Sequence, residues 1–259
     1  MNSARTVSAV RIENSFIPVK GVGETTERRL WEAGVTTWDE FEGDVVGDRN
    51  AERIHRFVDT ARERLRESDA RYFREAFPSG CHWRCYEDFR DATCFLDIET
   101  TGLDQRRDEV TVVSCHRGGD TTTLVAGRDL TADRLQRELD AANLLVTFNG
   151  KRFDVPFMEA SFGVSVEAPH VDLMYPCRNL GLTGGLKAIE REVGIDRDRP
   201  DLSGEDAVRL WREYERGDER ALETLVSYNR DDTANLRTLM EIVANRLEPD
   251  PLSARTAAD

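Results

Sequence analysis

Two acidic residues lie two positions apart in one β-prone run, residues 94 to 99 (CFLDIE). Because side chains alternate along a strand, Asp97 and Glu99 share one face while Leu96 and Ile98 share the other. Two like charges on a strand of otherwise buried composition are costly unless cations lie between them. The pair therefore predicts a metal site, although an edge strand with one hydrated face also explains the pair when it is taken alone.

A further aspartate, Asp154, lies where a second β-prone run, residues 144 to 148, passes through a turn into a helix. Pro156 suits the first turn of that helix, which places Asp154 beside the helix start. Its carboxylate could bind a metal ion there, or it could cap the helix.

A late helix, predicted to begin near Asp218, carries the last acidic position. Its apolar residues recur at spacings of three and four and define one face: Leu222, Leu225, Leu236, Leu239 and Val243. Asp232 falls on that face and Tyr228 lies one turn earlier, whereas Asp231 points about 100° away, toward solvent. A carboxylate on an apolar face needs a partner, which is either a metal ion or the Tyr228 hydroxyl group.

The elements that must position these residues follow from the pattern after about residue 84. Four β-prone runs, CFLDIE, EVTVVSC, TTTLVAG and LLVTF, are separated by Gly- and Asp-rich turns. A helix is predicted near residues 131 to 142 with Thr131 as its N-cap, and helices dominate after Pro156. This order predicts an α/β domain with a mixed sheet whose first three strands form an antiparallel meander.

The N-terminal part has a different texture. Two short helical patterns flank Gly21-Val22-Gly23, and Thr37 to Glu40 match a capping box that announces a further helix. Residues 48 to 77 have the apolar spacing of one charged amphipathic helix, which suggests a spacer or a docking helix. We therefore expect a small all-α domain at residues 1–47, a helical spacer at 48–78, the α/β domain at 79–248 and a disordered tail at 249–259.

Taken jointly, the three acidic motifs are far more specific than any one of them. Asp97-Ile98-Glu99, the segment 149–154 and the segment 228–232 resemble the three motifs of the DEDDy branch of ribonuclease-H-like 3′-to-5′ exonucleases. Position 227 is Ser, where the histidine variant of that family would have His. More narrowly, the sequence resembles the YprB-like group of predicted exonucleases at residues 95–102, 146–151, 172–175, 181–187 and 228–229. This similarity spans about residues 72 to 247.

The resemblance implies a ribonuclease-H-like mixed five-stranded sheet flanked by helices, and metal-dependent hydrolysis of phosphodiester bonds from a 3′ end. It implies that Asp97 bridges two Mg²⁺ or Mn²⁺ ions, that Glu99 and Asp232 complete one metal site, and that Asp154 supports the other. Two such metal ions would activate a water molecule and stabilise the leaving 3′ oxygen. Oxygen ligands favour these hard cations over zinc. Tyr228, with Glu99, would orient the attacking water.

Contacts to nucleic acid are expected from eight further positions: Thr100, Thr101, Asn149, Lys151, Lys187, Lys20, Gly21 and Gly23. The two threonines could equally be turn residues, and the two lysines of the α/β domain could be surface residues. The glycines belong to a segment that resembles a helix-hairpin-helix, in which the backbone approaches a phosphate at a helix N-terminus. Glu24 and Glu27 are unexpected in such a binder, so a structural cap or a protein-docking role stays open. The hairpin favours DNA over RNA as the substrate.

Composition limits the alternatives. The net charge of −14 is unusual for a nucleic-acid enzyme. Bound cations would neutralise part of it, and an acidic surface is typical of a protein that works in concentrated salt. Arg far outnumbers Lys, of which there are only three, and this fits a halophilic or a GC-rich source. No run is long enough to span a bilayer and no signal-peptide pattern opens the chain, so we expect a cytoplasmic protein that does not bind membranes.

Two other classes of function remain open at this point. One is a catalytically inactive scaffold of the same fold that binds nucleic acid or protein. The other is a zinc-supported adaptor organised around Cys81 and Cys85, although the five cysteines lack the paired spacing of a zinc ribbon or a disulfide framework.

Overall fold

The computed structural model describes residues 10–197 and 202–247, and five strands form one mixed sheet in this part of the chain. The sheet order is β3-β2-β1-β4-β5, with antiparallel pairs β1/β2 and β2/β3 and parallel pairs β1/β4 and β4/β5. The strands are β1 (Thr93–Thr100), β2 (Val110–Arg117), β3 (Asp120–Val125), β4 (Leu144–Thr147) and β5 (His170–Asp172). The predicted mixed five-stranded sheet and its antiparallel meander are therefore confirmed.

The described residues include nine α-helices. They are α1 (Glu24–Glu32), α2 (Asp48–Arg66), α3 (Ala70–Ala76), α4 (Ala132–Asp140), α5 (Asp154–Phe162), α6 (Met174–Asn179), α7 (Leu186–Val193), α8 (Gly204–Glu215) and α9 (Glu219–Leu247). Short 3₁₀ helices occur at Ile12–Asn14, Trp38–Glu40, Ser79–Cys85 and Arg90–Ala92. Thr131 caps α4 as predicted, since its side chain accepts a hydrogen bond from the backbone N–H of Arg134.

Strand β1 is covered on both faces, as the alternation of its side chains requires. Leu96 and Ile98 belong to a buried cluster that includes residues of α4 and α5. Phe95, on the opposite face, packs in the cluster that contains the C-terminal half of α9. The carboxylates of β1 therefore point toward the helix that carries the last acidic motif.

Strand β5 lies in the region after Pro156, where the sequence pattern indicated mainly helices and located no strand. It has only three residues, His170–Asp172, and pairs with β4 in parallel, Leu145 opposite His170 and Thr147 opposite Asp172. A strand this short has no alternation long enough to distinguish it from a loop.

The N-terminal part is helical as expected, but the prediction of a helix directly before Gly21 is wrong. Residues before Gly21 form successive turns, in which Val19 bonds back to Phe16 and Val22 to Val19. The single helix expected over residues 48–77 is instead two helices, α2 and α3. The left-handed conformation of Ser68 (φ 55°) interrupts the helix, and Asp69 caps α3 by accepting from the backbone N–H of Tyr72. Side chains of α2 and α3 nevertheless share one buried cluster with Phe95 of β1.

A buried ion pair ties the N-terminal part to the segment before β1. Glu27 is 1% exposed; its Oε1 accepts from Ser15 and from the backbone N–H of Phe16, and its Oε2 accepts from Arg84 at 2.7 Å. The Arg84 guanidinium also lies over the rings of Trp31 and Trp83. Glu27 therefore serves the fold and does not face solvent.

None of the described helices combines the length and the apolar composition that a membrane span requires. The predicted tail, residues 249–259, lies outside the described residues.

Candidate metal centre

Asp97 and Glu99 lie at the carboxyl end of β1, on the face toward α9. In the pairing with β2 they stand opposite Ser114 and Val112, and Val112 packs in a cluster with Tyr228 of α9. Glu99 is 8% exposed. The predicted sharing of one face by the two carboxylates is confirmed.

Asp154 reaches the same strand end from the loop that follows β4. It is the first residue of α5 rather than its N-cap, which is Phe153, so the capping alternative does not apply. Hydrogen bonding from the backbone of Ile98 in β1 is among the effects that lower the pKa of its carboxyl group. Asn149 adopts a left-handed conformation (φ 63°) that turns the chain between β4 and α5.

Asp172, at the end of β5, fixes this loop. Its Oδ1 accepts from the backbone N–H of Asn149 at 2.7 Å and its Oδ2 accepts from that of Lys151 at 3.1 Å. Its Oδ1 also accepts from the backbone N–H of Met174. The carboxylate of Asp172 therefore positions the segment that leads to Asp154.

Helix α9 contributes Tyr228 and Asp232, which are 6% and 7% exposed. A side-chain hydrogen bond with Tyr228, the alternative foreseen to metal binding, lowers the pKa of Asp232 only as a minor effect. Asn229, between them in sequence, is fully buried and donates through Nδ2 to Oδ2 of Asp97 at 2.7 Å. Asp231 is half-buried instead of pointing fully to solvent as predicted.

The carboxylates converge. Asp97, Glu99 and Asp232 each offer an oxygen atom, and these atoms lie within 4.8 Å of one another. Across the described ranges this is the one such group of three or more potential ligand side chains. Asp154 lies close enough for its charge to raise the pKa of both Asp97 and Glu99.

Burial and mutual repulsion leave these carboxylates poorly stabilised as anions. Burial is the main cause that raises the pKa of Glu99 to about 8, and the charge of Asp232 adds to it. Burial likewise raises the pKa of Asp154 to about 7, and it raises that of Asp97 well above its usual range, where the charge of Glu99 contributes next. Such a cluster is costly without a counterion.

Among the described residues, two cations face this cluster. Arg197 donates through one guanidinium nitrogen to Oδ1 of Asp232 at 2.5 Å and through another to Glu190, which is 1% exposed. Burial raises the pKa of Asp232 to about 6, and the positive charge of Arg197 is the largest opposing effect. Lys187 lies with its Nζ 5.0 Å from the centre of the Tyr228 ring.

The donor set fits hard divalent cations. All the candidate ligand atoms are carboxylate oxygens, which Mg²⁺ and Mn²⁺ prefer and which zinc sites rarely use alone. A cation bound among the acidic residues would stabilise their ionised forms and lower their raised pKa values. The centre is therefore consistent with a divalent metal ion held by Asp97, Glu99 and Asp232, with Asp154 beside them.

The predicted substrate contacts are distributed unevenly. Thr100 donates to the carbonyl oxygen of Gly102, and Thr101 accepts from the backbone N–H of Glu109, so both hydroxyl groups bond within the β1–β2 connection. Asn149 and Lys151 lie in the loop that precedes Asp154, and Lys187 lies at the cluster. Lys20, Gly21 and Gly23 are exposed in the N-terminal part, where the carbonyl oxygens of the first two accept from Arg53 and Asn50 of α2.

Three contributors to the site were not foreseen as such. Asn229 follows Tyr228 in a motif segment, and this adjacency was the one available signal. Arg197 and Glu190 come from α7 and the loop after it, where no periodicity or spacing marks them.

The zinc alternative has no support in the described residues. Cys81, His82 and Cys85 do not form a group of three ligand atoms there. His82 instead accepts through Nδ1 from the backbone N–H of His170, and Cys85 is fully buried.

Solved structures to which the chain is similar include a polymerase and nucleases. The family B DNA polymerase of the hyperthermophilic archaeon Pyrobaculum calidifontis is 19% identical, with a TM-score of 0.50 over 64% of this chain and 27% of that chain. An apo nuclease is 22% identical (TM-score 0.46, 66% of this chain and 83% of that chain). Brucella melitensis NrnC bound to pGG is 20% identical (TM-score 0.44, 67% and 81%).

The polymerase comparison, at this identity, shows the fold alone. A comparison with curated protein sequences found no significant match. A family model does match: RNase_H_2, described as the RNase_H superfamily, aligns with residues 94–244 and so with every strand of the sheet except the first residue of β1. Since that match spans more than half of the chain and contains the whole carboxylate cluster, the protein belongs to the RNase H superfamily.

Proposed function

We propose that the protein is a metal-dependent 3′-to-5′ exonuclease of the DEDDy type, which hydrolyses phosphodiester bonds of nucleic acid. The observation that carries this proposal is the convergence of carboxylates from distant parts of the chain, with oxygens of Asp97, Glu99 and Asp232 within 4.8 Å of one another. Asp154 adds a fourth acidic group, and Tyr228 lies one helical turn from Asp232. A two-metal-ion mechanism is the chemistry for which such an arrangement is best suited.

Asp97, Glu99, Asp154 and Asp232 would hold two Mg²⁺ or Mn²⁺ ions. When bound, these ions would supply an activated water molecule and neutralise the charge that develops on the leaving 3′ oxygen. The protein's own contribution is to fix the ligands. Asn229 does this for Asp97, because its amide donates to one carboxylate oxygen from a fully buried position.

Tyr228 would orient the attacking water and would not remove its proton. Burial, followed by the charges of Asp232 and Glu99, raises the pKa of Tyr228 far above its ordinary value. The phenol therefore keeps its proton at any physiological pH and can act as a hydrogen-bond donor. Lys187, over the ring, places a positive charge where the substrate phosphate would approach.

DNA is the favoured substrate, and the N-terminal turn would provide grip on its backbone through Lys20, Gly21 and Gly23. One objection to this role weakens with the structure. Glu27 is 1% exposed and bonded to Arg84, so its charge does not meet a phosphate at the surface. Glu24 stays exposed at the start of α1.

The test is hydrolysis of 5′-labelled DNA and RNA strands of one sequence, with Mg²⁺ or Mn²⁺, at low and high salt. Shortening from the 3′ end is expected. Asp97→Asn and Asp232→Asn should each lower the rate more than about 100-fold, since even residues that only support metal ligands contribute about 10- to 100-fold. Glu223→Gln, which removes an exposed carboxylate from the same helix as Asp232, serves as the control.

Wild-type rates in both aspartate variants would refute this assignment of the site. Full activity in dilute buffer would count against a halophilic adaptation and would leave the nuclease proposal intact.

A catalytically inactive scaffold is the second candidate, and one observation favours it. Arg197 already donates to Oδ1 of Asp232, which is a candidate metal ligand. Calorimetric titration with Mn²⁺ separates the two candidates, because an inactive scaffold stabilised by Arg197 would bind no metal at this cluster.

A further inference from the structure

A cavity of about 360 Å³ lies beside the carboxyl ends of β4 and β5. Its lining includes Trp83, Lys151, Asp172, Tyr175 and Asn179. Its volume lies in the range of sites that bind small molecules. The carboxylate cluster does not form part of its wall.

Lys151 gives the cavity a cationic side chain. Its side chain is half-buried, burial lowers its pKa, and it forms no ion pair with any of the described residues. Asp172 also lines the cavity, and its charge raises the pKa of Lys151, but its carboxylate oxygens accept from the backbone N–H groups of Asn149, Lys151 and Met174. A partly buried ammonium group that forms no salt bridge favours an anionic ligand.

The walls of the cavity favour an aromatic ligand as well. Tyr175 is 41% exposed, one of two large hydrophobic residues with such exposure in the described chain. Its ring centre lies 6.0 Å from Nζ of Lys151. Trp83 adds a second aromatic surface, and the exposed amide of Asn179 offers hydrogen bonds at the rim. A planar heterocycle that carries a phosphate matches this combination.

We propose that this cavity binds one nucleotide unit of the nucleic-acid strand, with the base on Tyr175 and Trp83 and the phosphate on Lys151. The proposal rests on the proposed function and extends it to a second position on the strand. Neighbouring strands lie about 4.8 Å apart, so β5 is about 10 Å from β1 along the same carboxyl edge. Lys151 is also only three residues from Asp154. A strand whose phosphodiester lies at the carboxylates thus places an adjacent nucleotide at the cavity.

Binding is measured by calorimetry on the full chain in EDTA, so that it does not depend on metal ions. The probes are dAMP, deoxyadenosine and inorganic phosphate. Tyr175→Leu should weaken dAMP and deoxyadenosine about 10-fold, the effect of losing one stacked base, and should leave phosphate unchanged. Tyr175→Phe keeps the ring and should retain wild-type affinity.

Lys151→Met should weaken dAMP and phosphate but leave deoxyadenosine unchanged. Arg66→Met, which removes an exposed cation at the end of α2, is the matched control and should change none of the three. The proposal is overturned if wild-type protein fails to bind dAMP at millimolar concentration, or if both pocket variants bind it as the wild type does.

Kinetics with oligonucleotides and Mn²⁺ provide the second readout. Tyr175→Leu should raise KM about 10-fold with little change in kcat, because the lost contact is made in the ground state and in the transition state alike. If the nuclease proposal fails, no variant has activity, yet the binding results in EDTA still decide the pocket. If the pocket proposal fails, hydrolysis persists and KM is unchanged in Tyr175→Leu.

Discussion

Replacement of Arg197 by Gln should tighten metal binding at the carboxylate cluster. Arg197 donates to Asp232 at 2.5 Å and its side chain is 7% exposed, so solvent screens the pair very little. A divalent cation must share Asp232 with this guanidinium or displace it. Removal of the guanidinium frees Asp232 from a competing donor. It also leaves Asp232 and Glu190 as uncompensated anions, and both effects favour binding of a cation.

The size of the effect follows from the contacts that are lost. Two unit charges about 4 Å apart interact by about 4 kcal/mol at an effective dielectric constant of about 20, whereas a hydrogen bond to a charged group contributes about 1.5–3 kcal/mol net. The lower figure is the better guide, because the cluster relaxes when a metal ion binds. We therefore expect Mn²⁺ to bind Arg197→Gln about 10- to 100-fold more tightly.

The metal-free variant should be less stable at the same time. Glu190 is 1% exposed and loses its partner, and an unpaired buried charge costs about 3–5 kcal/mol. Urea unfolding in EDTA and in Mn²⁺ measures both effects, since each tenfold gain in affinity adds about 1.4 kcal/mol of metal-dependent stabilisation. Arg209→Gln, at an exposed pair with Glu213, is the control with the same change of charge. Equal or weaker Mn²⁺ binding by Arg197→Gln would refute competition between the guanidinium and the metal.

Three further changes have defined outcomes. Glu27→Gln should lower the free energy of unfolding in urea by about 3–5 kcal/mol, because Arg84 stays buried without its counterion. For the wild-type protein in EDTA, the free energy of unfolding should fall as pH rises from about 4 to about 8. The pKa of Glu99 is about 8 in the native chain, so the native state binds more protons than the unfolded state in this window. Gly150→Ala should lower the melting temperature, since a Cβ there would clash with Oγ1 of Thr147 and lie 2.8 Å from its Cγ2; overpacking costs about 1–3 kcal/mol.

Each of these outcomes has a control. Asp39→Asn breaks the exposed pair with Arg62 and should cost less than about 1 kcal/mol, so an equal effect would deny Glu27 its structural role. Glu99→Gln should flatten the pH dependence, and a slope as steep as that of the wild type would assign it to other groups. Thr147→Ala should recover part of the loss in Gly150→Ala, and no recovery would place the strain elsewhere.

Local pattern was sufficient for the parts of the fold in which periodicity is long. The alternation in β1 correctly assigned Leu96 to one core and Asp97 to the opposite face. The 29 residues of α9 carry so many apolar positions at helical spacing that the spacing alone places Asp232 on the buried face. Both successes depend on burial that repeats with the period of the element.

Short elements and breaks were missed for the same reason. The three residues of β5 have no period to detect, although Asp172 at its end fixes the loop before Asp154. The break at Ser68 interrupts an apolar spacing that continues on both sides of it. The division into separate units at residues 1–47 and 48–78 stays a prediction. Side chains from both segments share a buried cluster with Phe95.

The partners of the carboxylates could not be inferred from spacing, because they depend on tertiary approach. Arg197 is 35 residues from Asp232, and Asn229 is 132 residues from Asp97. A buried polar side chain reveals its role only when its partner is known. Glu27 shows the converse: as a sequence position it argued against a phosphate-binding surface, yet in the structure it is an internal anion.

The acidic net charge of the chain, −14, ceases to argue against a nucleic-acid substrate when cations are considered by position. Every ion pair among the described residues is formed by an arginine. Lys151 and Lys187 are instead held over the rings of Tyr175 and Tyr228, one near the cavity and one at the carboxylate cluster. Arginines therefore neutralise the fold's own carboxylates, and these two lysines are available to the phosphates of the proposed substrate. Local potential, not net charge, decides where a polyanion binds.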